Sequence, residues 1–99
     1  MEIQLTRASL CMGDDCNAPH ASTIECNANS KLTDVLLLLA GYLPSLRNAT
    51  WEVICAHNVI GRCVYDENAK HTWEVSDVNL KASDLPQAEF HCRAVYNKQ

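Results

Sequence analysis

The sequence predicts an α+β domain: a five- or six-stranded mixed sheet with one helix packed across it, spanning residues 1–99 as a single unit. Three observations predict it. Both ends alternate apolar and polar residues with the period of a half-buried strand, as Met1, Ile3 and Leu5 do near one end and Phe90, Cys92, Ala94 and Tyr96 near the other. Between them, Leu32, Val35, Leu36, Leu39 and Leu43 fall on one stripe at helical spacing. Residues 51–75 are rich in aromatic and β-branched side chains and are broken by short turns. Strands gathered around one helix bury their apolar sides as a helix layer on a sheet layer. With 47% hydrophobic residues and only 3 Gly and 3 Pro, the chain is neither disordered nor collagen-like.

The first strand covers residues 1–6, with Glu2, Gln4 and Thr6 on its polar side, and Leu10-Cys11-Met12 extend it. Gly13 to Pro19 read as a loop of small and turn-forming residues. His20 to Asn27 form a second strand, with Ser22, Ile24 and Cys26 on one side, so the first pair is a long-looped hairpin. Asn29 or Ser30 is the expected helix cap, because a short oxygen-bearing side chain accepts from the free N–H groups of the first turn. Gly41 and Pro44 end the helix, since Pro has no N–H to donate and clashes one turn back. Leu37 and Leu38 lie about 145° and about 115° from the centre of the apolar stripe, at roughly 100° per residue.

After a polar connection at 45–50, Trp51 to Ala56 form a strand, His57-Asn58 a two-residue turn, and Val59 to Asp66 the returning strand with Gly61 marking a bulge. Residues 67–70 turn again into a strand at His71–Val75. Ser76 to Gln87 read as a loop with one short helical turn, and the last strand follows. This β-β-α-β-β-β-β order resembles the β-grasp, or ubiquitin-like, superfold: an N-terminal hairpin, a helix across the sheet, then further strands with a late one returning. The likeness is one of element order. It implies a fold and no chemistry.

A net charge of −4, with 8 basic residues scattered along the chain, argues against nucleic acid and anionic membrane as partners, since both want a basic face. No run of apolar residues is long enough for a membrane-spanning helix. Met1 to Thr6 lack the pattern of a secretory leader, so a cytoplasmic location is expected. Reduced thiols fit that location. Of the 6 cysteines, Cys26, Cys55 and Cys92 fall in phase with apolar strand residues and are expected to be buried. Asn48-Ala49-Thr50 matches a glycosylation acceptor, which without a leader reads as chance.

No glycine-rich phosphate loop, helix-borne metal pair or Gly-x-Ser-x-Gly elbow is present, so no catalytic residue, cofactor or metal is expected. The segment Cys11–His20 is the densest in chemical groups. Cys11, Cys16 and His20 offer soft metal ligands, and Asp14 and Asp15 offer hard ones, but the spacing is not that of a zinc knuckle. A solvated surface turn is the simpler reading. Cys55 and His57 share a strand face, yet Val53 in the same phase turns that face to the core. His91 and Cys92 are neighbours on a strand and point to opposite faces.

The leading expectation is a small acidic intracellular module that binds or regulates another protein. Its candidate contacts are Asp14, Asp15 and His20 in the loop and Leu37 and Leu38 on the helix. Acidity steers toward a basic partner protein, and the helix offers a route to self-association. A metal- or thiol-dependent enzyme or redox sensor using the Cys11–His20 loop is the alternative from another class. A structural subunit of a larger or viral assembly is the third. Leu37 and Leu38 call for a cover, supplied either by the 76–87 segment or by a second protein.

Overall fold

The computed structural model describes residues 1–8 and 21–96. The alternation read from the sequence builds β1 (Glu2–Arg7), where Ile3 and Leu5 are buried and Glu2 and Gln4 face solvent. It pairs antiparallel with β2 (Ser22–Glu25) and parallel with β6 (Glu89–Tyr96), placing Leu5 beside Phe90. β6 pairs antiparallel with β3 (Ala49–Cys55), β3 with β4 (Asn58–Tyr65), and β4 with β5 (His71–Val75). Among the described residues these strands form one mixed sheet in the order β2-β1-β6-β3-β4-β5.

One face of the sheet carries the core. Ile3, Leu5, Ala49, Trp51, Val53, Cys55, Cys63, Tyr65, Phe90 and Cys92 all point into it, and α1 (Leu32–Leu37) covers it with Leu32, Val35 and Leu36. Leu43 and Leu46, beyond the helix, extend the same core. The Trp51 indole donates to the Pro44 carbonyl at 2.9 Å, tying that extension to the central strand.

The structure corrects five local expectations. The helical stretch is shorter than the apolar stripe: α1 ends at Leu37 and the chain tightens into a 3₁₀ turn over Leu38–Gly41. At three residues per turn, the tighter winding eclipses residues three apart, and Leu36 and Leu39 are both fully buried. Neither Asn29 nor Ser30 caps the helix. Lys31 stands at that position without a side-chain bond, and the Leu32 N–H donates to the Leu80 carbonyl at 2.8 Å instead. The two-residue turn is Ala56-His57, one position earlier than expected, with φ of 49° and 73°. The bulge falls between Val53 and Ile54, where Gly61 faces Val53 and Ile60 is the extra residue.

The fifth correction concerns the segment 76–87. It was a candidate cover for Leu37 and Leu38, but it docks at the start of the helix. Ala82 N–H donates to Ser30, Ser83 N–H donates to Ala28, and Lys31 and Lys81 form an isolated bridge. The short helical turn expected here is Ala82–Asp84. Leu80, Ala82 and Ser83 bond to residues 28–32, and the two leucines remain about half exposed.

Candidate functional site

The run Leu36-Leu37-Leu38-Leu39 contains more apolar side chains than one helix face can hide. Leu36 and Leu39 turn inward and are fully buried, as are Leu32 and Val35. Leu37 and Leu38 turn outward and remain 56% and 48% exposed. Asp34 is exposed and lies three and four residues before them, the spacing of helix-surface neighbours. The outer face therefore presents two leucines beside one carboxylate. Burying a leucine fully is worth roughly 1.5–3 kcal/mol, and about half of that remains unrealised at each of these two.

The loop candidates Asp14, Asp15 and His20, with Cys11 and Cys16, lie outside the described residues. Among the described cysteines, Cys26, Cys55, Cys63 and Cys92 are free. Cys55 and Cys92 are buried as expected, Cys63 is buried with them, and Cys26, also expected inside, is only half-buried at the end of the edge hairpin. Burial pushes the Cys92 thiol up to about 12, and it raises Cys55 and Cys63 as well. Cys55 donates its thiol to the Gln87 carbonyl at 3.3 Å. At neutral pH these three are protonated thiols, and the nucleophilic or ligating form is the thiolate.

Two histidines distant in the sequence share one concavity. His57 from the β3–β4 turn and His91 from β6 line a groove of about 250 Å³ with Ile54, Ala56, Gln87 and Glu89. Thr6 holds His91 through a 2.8 Å hydrogen bond between Oγ1 and Nδ1. A wider recess of about 560 Å³ opens where β4 turns into β5, beside Tyr65, Asp66, Lys70 and His71. Among the described residues no group of three or more His, Cys, Asp or Glu side chains is placed to hold a metal ion.

The sheet face away from α1 is a charged lattice. Arg93 Nε donates to Glu52 Oε1 at 3.1 Å, and Arg62 Nε lies 3.5 Å from Glu52 Oε2. The Arg93 hydrogen bond, reinforced by both positive charges, holds the Glu52 carboxyl below its ordinary range. Glu74 continues the row beside Arg62. Reading along the chain did not find this row, because its members belong to different strands and meet only through cross-strand register. The one sequence signal was phase, with Glu52, Arg62, Glu74 and Arg93 all out of step with the core residues.

Comparison of the chain with protein-family models, curated proteins and solved structures finds no match. The described helices give no span long and apolar enough to cross a membrane. The structure thus defines a small α+β domain with a mixed sheet and one short α-helix, and functional inference rests on its own surface.

Proposed function

We propose that this domain is a protein-binding module that acts by occupying a partner through the outer face of α1 and the 3₁₀ turn after it. One observation carries the reading: Leu37 and Leu38 stand side by side in solvent, while the other leucines and the valine of the same helical stretch are fully buried. Exposed apolar side chains in a contiguous patch mark interaction surfaces. Asp34 beside the leucines favours a partner that offers an apolar contact and a basic group together. The net charge of −4 acts in the same direction at longer range. The Asp14, Asp15 and His20 loop remains a second candidate contact, and a cytoplasmic location accords with the free thiols. We also infer a β-grasp-like fold, supported by the order β2-β1-β6-β3-β4 with β1 parallel to β6, to which β5 adds an edge.

The test compares capture of binding partners by the wild-type chain, by Leu37→Lys and by Val78→Lys. Val78 is a comparably exposed apolar residue, 61% open to solvent, in a different part of the surface. Both variants should keep the wild-type melting temperature, as exposed positions do. A partner lost with Leu37→Lys and retained with Val78→Lys supports the reading. A partner held equally by all three sinks it, as does a Leu37→Lys variant that melts about 2 kcal/mol lower, since that side chain would then be structural.

A further inference from the structure

Among the described residues β5 is the last strand of the sheet order, and its inner side pairs with β4. The direction of its backbone groups follows from the hydrogen bonds at its two ends. Asp66 N–H donates to the Lys70 carbonyl at one end, and Ser76 N–H donates to the Ile60 carbonyl at the other. In an antiparallel ladder, residues that exchange hydrogen bonds alternate with residues that do not. Arg62 with Glu74 and Val64 with Thr72 are therefore the bonded pairs, which turns the N–H and C=O groups of His71, Trp73 and Val75 outward.

Proteins that keep an edge strand single commonly protect it with Pro, Lys or a bulge. β5 reads His-Thr-Trp-Glu-Val, a strand of five residues with one carboxylate, Glu74, but no Pro, Lys or bulge, and it pairs with β4 without a register shift. The opposite edge, β2, has only four residues.

We propose that β5 is a pairing edge through which two copies of this chain associate, antiparallel about a two-fold axis at Trp73. That register sets Trp73 against Trp73 of the second copy and His71 against Val75. Every outward-facing residue of β5 then meets another, each pair exchanging two hydrogen bonds, about six in all. A two-fold axis at a neighbouring residue would leave some of these groups unmatched. On the charged face the same register sets Thr72 opposite Glu74, so no like charges meet. On the core face it brings the two half-buried Trp73 side chains together beside α1, which lies against β5. The association is isologous and closes at two copies. It uses a different surface from the leucine face and does not rest on it.

Sedimentation of the full chain over a wide concentration series tests the proposal. A concentration-dependent dimer is expected. Thr72 is exposed, so substitution there leaves the fold intact. Thr72→Glu places like charges against Glu74 at two symmetric points and should weaken the dimer about tenfold, while Thr72→Lys should strengthen it by a similar factor. Amide exchange gives a second measurement on the unaltered protein. The His71, Trp73 and Val75 amides should slow as concentration rises, whereas Thr72 and Glu74 stay protected throughout. A chain monomeric at every concentration overturns the proposal. So does a dimer that ignores both Thr72 substitutions, and so does one abolished by Leu37→Lys, which would place self-association on the helix.

Discussion

Cys92 shows how a polarizable side chain becomes a core filler. It sits with no exposure between Val53 on β3 and Arg7 on β1 in the register of the sheet, and desolvation keeps its proton on. Serine is nearly isosteric but brings a hydroxyl that must find a partner in an apolar setting. Cys92→Ser should lower stability by about 1–3 kcal/mol in a denaturant melt. Among the four described cysteines, native alkylation should modify the half-buried Cys26 first and leave Cys55, Cys63 and Cys92 until the chain unfolds. Rapid labelling of all four would contradict the burial described here.

The turns hold residues in costly backbone conformations. Ala56 and His57 both have positive φ, as a two-residue hairpin requires when its twist must match the flanking strands. Asn-Gly suits those angles and Ala-His does not, which is why the sequence pointed to His57-Asn58. At the β4–β5 turn, Ala69 has φ of 63°, and Asp66 compensates by accepting from the Asn68 and Lys70 N–H groups at 2.8 and 2.9 Å. Replacing Ala56 by Asn together with His57 by Gly should raise stability by about 1–2 kcal/mol, since each left-handed non-glycine residue costs on that order. A thermal melt checks it. No gain would mean that His57 makes a compensating contact in the groove with His91.

The whole molecule is held at the spacing Gly61 permits between sheet and helix. A Cβ built on Gly61 would lie 2.5 Å from Leu36 Cδ1 and 3.2 Å from the Glu74 carbonyl oxygen. Leu36 is fully buried and has little room to retreat, and the carbonyl belongs to the backbone of β5. Gly61→Ala should therefore destabilise by about 1–3 kcal/mol, the usual range for overpacking a tight core. Pairing it with Leu36→Ala should recover part of the loss, because the clash and its relief share one cavity. Additive losses in the double variant would rule out this contact as the cause.

Within the described residues, the sequence by itself determined most of which residues lie inside and the kind of element that most segments form, though not where each element ends. Hydrophobic phase is a local property, and the phases of β1, β3 and β6, with the stripe through Leu32, Val35, Leu36 and Leu39, were legible residue by residue. The outward position of Leu37 and Leu38 was legible for the same reason. Tertiary structure alone decided what meets what. Strand neighbours are set by hydrogen bonds between segments distant in the chain, so the parallel pairing of β1 with β6 and the Arg93–Glu52–Arg62 row had no local signature. The same holds for the helix start, where the Leu80 carbonyl took the place foreseen for a side-chain cap. It holds for the 76–87 segment too, whose hydrogen bonds go to residues 28–32 while the two leucines stay about half exposed. Backbone groups accept any partner that folding brings near, and side-chain pattern does not say which one arrives.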